Sequence, residues 1–197
     1  MIMSSVFAHS LVGAAIYTRV GKLNSLRGIF SCAFVSFLAI IPDLDYVIYW
    51  LFDSRLDPRY THSIFYCLII SAVVSLIKLT IFKNALASIP YYLLWISPLT
   101  HLALDLLVGV YPMPLYWPAN SDLMVLPFGI LPSAGKLNIF NYYFWRNLVI
   151  ELGILLPIVG LFVPALNKHL VKDKLSLKVL WLLIFCGFVF MGANLTR

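Results

Sequence analysis

The chain has 197 residues, of which 62% are hydrophobic and 11% are charged, and its formal net charge is +6. Soluble domains are close to half apolar and a quarter charged, so a water-soluble fold of this size could not bury so much apolar surface. The composition excludes that class and predicts a multi-spanning membrane protein in which residues 1–197 form one integral membrane domain.

Apolar segments long enough to cross a bilayer recur along the chain. A transmembrane helix needs about 20 mostly apolar residues. Hydropathy therefore predicts an all-α class, a polytopic transmembrane helical bundle of about five to six spans. The predicted spans are 2–20, 29–50, 64–82, 89–110, 147–166 and 177–194.

The stretch 111–146 interrupts this pattern, because its prolines forbid a continuous helix. It is still apolar and aromatic, so we expect it to lie at the membrane interface or to fold back over the bundle. A loop of this length often has a function, such as that of a lid, or is simply mobile. The prolines are Pro112, Pro114, Pro118, Pro127 and Pro132.

Lysines and arginines are concentrated in the joints between the predicted spans. This arrangement favours a role in topology and lipid-headgroup contact over nucleic-acid binding. More of them lie in the first, third and fifth joints than on the other side, which predicts that these joints are cytoplasmic and both termini are outside. The cysteines are far apart in apolar runs, so neither a disulfide scaffold nor a structural zinc site is expected.

Some ionisable residues lie inside the spans, where a charge costs about 2.5–3.5 kcal/mol on insertion scales. His9 in AHSLVG could be a core histidine, since a single histidine in an apolar segment is usually a buried core residue. Pro42 is expected to break the second span just before Asp43 and Asp45. These two carboxylates would diverge on a helix but share a face on extended chain. The alternative is that Asp43 caps the next short helix.

The segment DPRYTHSIF opens the third span and contributes His62. Thr61 or Ser63 is expected to cap this helix. Arg59 could hold an anionic group of a substrate, or it could be an interfacial arginine whose head reaches water.

His101 and Asp105 lie in SPLTHLALDLLVG, within the fourth span. Residues four apart share one face of a helix. An imidazole and a carboxylate on one face are suitable ligands for a divalent metal. The alternative is a hydrogen-bonded pair that joins two helices.

Successive spans reverse direction, so these ionisable residues all fall toward the same side of the membrane. Three histidines and three carboxylates at one depth predict a metal site with one or two ions. Tyrosines and tryptophans cluster near the same side, which places the site near the lipid headgroups. The predicted ligands are His9, Asp43, Asp45, His62, His101 and Asp105.

Two charged residues stand apart from this cluster. Lys78 is expected to reach the cytoplasmic surface from the end of the third span. Glu151 could assist the site as a base or a supporting group, but we favour an interfacial carboxylate.

The motifs AHSLVG, PDLD, RYTHS and HLALD, in this order, resemble the YdjM-type membrane-bound metal-dependent hydrolases. That family includes a bacterial inner-membrane protein described as LexA-regulated. The resemblance covers about residues 1–130, which carry the predicted metal site, and leaves the two spans in 147–194 unmatched. It implies a bacterial inner-membrane protein whose metal centre is formed by the six predicted ligands. Arg59, Thr61 and Ser63 match the third motif.

These features predict a membrane-embedded metal-dependent hydrolase. A divalent ion, Zn²⁺ or Mn²⁺, would lower the pKa of a bound water and polarise the scissile group. Asp45 or Asp105 would act as general base or orient a histidine, and Arg59 would stabilise developing negative charge. The depth of the site favours a membrane lipid or lipid-linked ester or phosphodiester as substrate, reached from the extracytoplasmic side.

Two other functions are open. Intramembrane His and Asp residues also serve metal-ion or proton transport, although the cytoplasmic halves of the spans are nearly all apolar apart from Lys78. The third possibility is an assembly protein in which a metal only pins the helices together.

Overall fold

The computed structural model describes residues 5–52, 58–109, 111–132, 140–162 and 175–195. Regular secondary structure in these ranges is helical, apart from one isolated bridge between Met113 and Met124. The predicted all-α class is therefore confirmed. The α-helices are α1 (Val6–Thr18), α2 (Leu26–Leu38), α3 (Asp45–Phe52), α4 (Ile64–Thr80), α5 (Tyr91–Val108), α6 (Tyr142–Phe162) and α7 (Leu175–Ala193).

Two of these helices have the length and apolar composition that crossing a membrane requires. They are α5, over Tyr91–Val108, and α6, over Tyr142–Gly160. Helices α1, α2, α4 and the Val179–Ala193 part of α7 are shorter but also apolar. Large apolar side chains such as Leu76 and Leu183 are exposed on these helices. Such a surface fits a helical membrane bundle, because a bilayer would cover it.

The predicted second span, 29–50, consists of two helices. Helix α2 ends at Leu38, a 3-10 turn covers Ile41–Leu44, and α3 follows directly. Pro42 lies in the first turn of the 3-10 helix, where its missing N–H is tolerated, and it cannot continue α2. The predicted break is confirmed. The extended backbone expected around Asp43 and Asp45 is wrong, because the chain stays helical there.

The proline-rich segment ends earlier than predicted, because α6 begins at Tyr142 and not at residue 147. Its described part, 111–132, folds back onto the helices that precede it. The Leu115 carbonyl accepts a hydrogen bond from the Ile64 N–H at the start of α4 (3.0 Å). The Leu107 carbonyl near the end of α5 accepts one from the Ile130 N–H (2.9 Å).

Helix α1 packs against α2 on one side and against α5 and α6 on the other. A Cβ atom at Gly13 would lie 2.6 Å from the Cα atom of Ser36, so glycine is what lets α1 approach α2 so closely. On its other side, Ala8 packs with Leu104 of α5 and Ile154 of α6 in one apolar cluster. The helix that carries His9 is thereby held by both the early and the late spans.

Candidate metal centre

Five ionisable side chains meet in the interior, where α1 and α5 come together with two 3-10 turns. One turn is Ile41–Leu44, and the other is Tyr60–His62, just before α4. The three histidines are at most 1% exposed and the two aspartates are 6% exposed. Two groups of three potential ligands have their ligand atoms within 4.8 Å of one another. These groups are His9, His101 and Asp105, and Asp43, His62 and His101.

His62 and His101 lie from each other, from Asp105 and from Asp43 at distances close to those between ligands of one ion. The Nε2 atoms of His62 and His101 are 3.2 Å apart. Asp105 Oδ2 lies 3.2 Å from His101 Nε2 and 3.4 Å from His62 Nε2. Asp43 Oδ1 lies 3.5 Å and 3.7 Å from the Nε2 atoms of His62 and His101. Ligands of a tetrahedral zinc ion are about 3.3–3.6 Å apart, given metal–ligand distances of roughly 2.0–2.2 Å.

His101 is held so that only one of its nitrogens can serve as a ligand. Its Nδ1 lies 2.7 Å from the carbonyl oxygen of Ala39. A carbonyl only accepts, so Nδ1 carries a proton, and Nε2 is the nitrogen that faces Asp105 and could bind a metal. The two side chains lie one turn apart on a buried face of α5, which is the arrangement that their spacing predicted.

His9 reaches the cluster from α1. Its Nε2 is 3.4 Å from Asp105 Oδ1, and its ring stacks on that of His101 with the centroids 3.8 Å apart. Neither ring nitrogen of His9 has a hydrogen-bond partner among the described residues, although the side chain is fully buried. An unsatisfied buried polar group is costly, and a metal ion bound at Nε2 would satisfy one of these nitrogens.

Asp45 lies outside both groups of candidate ligands. Its Oδ2 accepts hydrogen bonds from Arg59 Nε (2.6 Å) and from the Thr61 hydroxyl (3.0 Å), and its Oδ1 accepts from Arg59 Nη2. Five of the six predicted ligands therefore meet, while Asp45 pairs with Arg59. The metal-ligand and catalytic roles predicted for Asp45 remain predictions.

Arg59 is buried, with 2% of its surface exposed, so it does not reach water as an interfacial arginine would. Its Nη2 donates to Asp43 Oδ1 (3.1 Å) as well as to Asp45, and the guanidinium lies over the Tyr46 ring at 4.4 Å. Burial alone would lower the pKa of Arg59, but the hydrogen bond to Asp45 and the nearby carboxylates raise it above its ordinary value. A permanent positive charge therefore sits behind the two carboxylates.

Two predictions about single charged residues are wrong. Glu151 is 1% exposed and not interfacial: it accepts hydrogen bonds from the N–H (2.9 Å) and the hydroxyl of Ser5. Lys78 is 7% exposed, and its Nζ donates to the Ile89 carbonyl and lies 4.0 Å from the centroid of the Tyr91 ring. Both side chains bind partners on other elements of the fold, and the residues next to them in the sequence do not predict such contacts.

Two backbone details also position the cluster. Ser63 is the cap of α4, because its hydroxyl oxygen accepts from the Tyr66 N–H (3.1 Å). Asp43 lies inside the 3-10 turn, and its Oδ1 accepts a hydrogen bond from Arg59 Nη2 (3.1 Å). The alternative that Asp43 caps the next short helix remains a prediction. The sequence analysis did not predict that the Ala39 carbonyl orients His101, because every residue has a main-chain carbonyl and the sequence does not show which one accepts a hydrogen bond.

The fold and this cluster define an integral membrane protein of the helical-bundle type with a buried centre of histidines and aspartates. The chain belongs to the YdjM inner membrane protein family, whose family model matches residues 3–195. The match includes α6 and α7, so the expectation that the resemblance ends near residue 130 is wrong. The late helices carry no polar motif, which is why the motifs alone stopped short. No curated protein and no solved structure matches the chain.

Proposed function

We propose that this protein is a membrane-embedded, metal-dependent hydrolase that acts on a lipid or a lipid-linked ester or phosphodiester. The observation that carries the proposal is the meeting of five buried His and Asp side chains inside a helical membrane bundle. Asp43, His62, His101 and Asp105 would hold a divalent ion, Zn²⁺ or Mn²⁺. His9, which is grouped with His101 and Asp105, is the fifth candidate ligand.

One ion fits this set better than two. His101 belongs to both groups of potential ligands, but its Nδ1 is bonded to Ala39, so it offers a single lone pair at Nε2. Both groups therefore share this one coordinating atom. The charge agrees, because three carboxylates and one guanidinium sum to −3 + 1 = −2, which a single divalent ion neutralises.

A bound ion would supply Lewis acidity to the scissile carbonyl or phosphoryl group and would lower the pKa of water. The histidines are at most 1% exposed, whereas Asp43 and Asp105 are each 6% exposed, so the reacting group would arrive on the carboxylate side. Asp45 is a poor candidate for the base, because both of its oxygens already accept from Arg59. Asp105 would hold the ion through Oδ2 and orient His9 through Oδ1, which lies 3.4 Å from His9 Nε2. Arg59 would then act by holding Asp43 and Asp45, without touching the substrate.

The proposal of a lipid substrate rests on the surroundings of the site. Tyr60, two residues before His62, packs on Trp117 with ring centroids 4.8 Å apart, and Phe65 contacts the same tryptophan. Tyrosine and tryptophan are enriched where a bilayer meets water. A reactive centre beside such residues would meet ester and phosphodiester groups of lipids. The distribution of Lys and Arg leads us to place this side of the bundle outside the cytoplasm.

The proposal is tested first by the metal content of the full chain, purified in detergent without chelator and measured by mass spectrometry. About one transition-metal ion per chain is expected, followed by hydrolysis in a panel of lipid esters and phosphodiesters. A wild-type protein that stays metal-free after Zn²⁺ and Mn²⁺ are offered would end the hydrolase proposal. Cleavage of water-soluble substrates alone would end the lipid assignment.

Ion transport makes a different prediction, which is metal or proton flux in proteoliposomes. Several polar side chains deeper in the bundle are bonded to main-chain carbonyls and not to one another. The Ser71 hydroxyl donates to Cys67, the Ser97 hydroxyl to Val35, and Lys78 to Ile89. These bonds do not extend the ligand cluster toward the opposite surface. Metal binding with flux and without hydrolysis would nevertheless establish transport.

A further inference from the structure

A chain of hydrogen bonds runs from Arg59 to His62. Arg59 donates to Asp45 through Nε at 2.6 Å and through Nη2. The Thr61 hydroxyl lies 3.0 Å from Asp45 Oδ2 and 3.0 Å from His62 Nδ1. Each member is buried or partly buried, and Asp45 is 5% exposed.

The direction of these bonds follows from the donors available. A carboxylate that faces a guanidinium only accepts, so the single hydroxyl proton of Thr61 goes to Asp45. The Thr61 oxygen can then only accept from His62, which places the second proton of this chain on Nδ1. The Nε2 atom of neutral His62 is therefore unprotonated and lies toward Asp43, Asp105 and His101.

We propose that Asp45 and Thr61 are positioning residues that fix the tautomer and ring orientation of His62, a role that rests on the proposed metal-dependent function. The same result is reached at His101 by a different partner, the Ala39 carbonyl. The two Nε2 atoms lie 3.2 Å apart. With both rings neutral and both Nδ1 atoms protonated, their lone pairs would face each other, an arrangement that a bound cation would stabilise. Outer partners of this kind typically change metal affinity by about 10–100-fold when removed.

Thr61→Val tests this role, because valine keeps the shape of threonine and removes the hydroxyl. Thr61→Ser restores the hydroxyl. The matched control is Thr100→Val: Thr100 also directly precedes a cluster histidine, but its hydroxyl donates to the Ser97 carbonyl of its own helix (2.7 Å). The measurement is Zn²⁺ affinity of each full-length variant in detergent by chelator competition, together with the visible spectrum of the Co²⁺ form.

We expect Thr61→Val to bind Zn²⁺ about 10–100-fold more weakly and to shift the Co²⁺ spectrum. Thr61→Ser and Thr100→Val should stay within a few-fold of the wild type. Unchanged affinity and spectrum in Thr61→Val would overturn the positioning role and leave the metal site intact.

A second measurement does not depend on metal. In the metal-free protein labelled with ¹⁵N-histidine, the His62 ring, assigned through His62→Gln, should show a protonated Nδ1 that is lost or mixed in Thr61→Val. If no variant binds metal but this change is seen, the tautomer assignment stands and the hydrolase proposal fails. If the His62 tautomer is the same in Thr61→Val as in the wild type, the positioning role is overturned.

Discussion

The Nε2 atoms of His62 and His101 lie 3.2 Å apart in the interior of the bundle, and each ring turns its Nδ1 toward an oxygen acceptor. One acceptor is the Thr61 hydroxyl and the other is the Ala39 carbonyl. In neutral rings with both Nδ1 atoms protonated, as we propose, the two facing Nε2 atoms would carry lone pairs. The pair is therefore suited to bind a cation, with Asp105 Oδ2 within 3.4 Å of both nitrogens.

Replacing either histidine of this pair should remove the metal. His62→Ala and His101→Ala each delete one nitrogen ligand, so we expect the metal content to fall from about one ion per chain to near zero. Cys186→Ser is the control, since this exposed thiol is a soft potential ligand outside the cluster. Mass spectrometry of detergent-purified protein measures the loss. Full metal occupancy in both histidine variants would contradict the assignment of the ligands.

Asp105→Asn should weaken Zn²⁺ binding by more than the roughly 10–100-fold typical of an outer partner. The change replaces a charged ligand by a neutral amide beside three histidines, while the size of the side chain is preserved. Asp122→Asn is the matched control, because Asp122 is exposed and bonds to Asn120 (2.9 Å) far from the histidines in sequence. Chelator competition compares the two variants. Equal affinities would show that Asp105 is not a ligand.

Gly13→Ala should destabilise the protein by about 1–3 kcal/mol, the range typical of overpacking. Its new methyl group would lie 2.6 Å from the Cα atom of Ser36, and backbone cannot yield as a side chain can. Gly187→Ala is the control, since nothing lies within 4 Å of a Cβ built there and alanine favours a helix over glycine. Thermal unfolding in detergent separates them. A melting temperature for Gly13→Ala at or above that of Gly187→Ala would refute the close approach of α1 to α2.

Ser5→Ala should cost about 1.5–3 kcal/mol, the range for a hydrogen bond to a charged group. The hydroxyl of Ser5 donates to Glu151, and its oxygen also accepts from the Ala8 N–H (3.1 Å) to cap α1. Ser10→Ala is the comparison, because the Ser10 hydroxyl donates to the Val6 carbonyl one turn back (2.7 Å) and reaches no second helix. We expect a clear loss of thermal stability in Ser5→Ala and little change in Ser10→Ala. Similar melting temperatures would mean that Glu151 does not anchor α1.

Local sequence rules accounted for features that depend on neighbours in the chain. The i, i+4 spacing placed His101 and Asp105 on one face, and Pro42 ended the helical run before Asp43. Each of these follows from backbone geometry that a few consecutive residues set by themselves.

Two of the errors concern residues whose partners lie on other elements. Glu151 binds Ser5 across 146 positions, and Lys78 binds a carbonyl on the approach to α5. Both were expected at a surface, because a single charged side chain in an apolar segment is most simply predicted to reach the nearest water. The structure shows them buried and paired, since an intramembrane charge is tolerated where a partner satisfies it.

The sequence by itself determined the membrane class, the helical architecture and the identity of the costly residues, because hydropathy and charge act residue by residue. Only the tertiary structure decided which of those residues join the histidine cluster and which pair with other side chains. Asp43 lies with His62, His101 and Asp105, whereas Asp45, two positions on, pairs with Arg59 and Thr61. The 3-10 turn between α2 and α3 sets the directions of these two side chains, and which partner each meets depends on how α1, α4 and α5 pack around that turn.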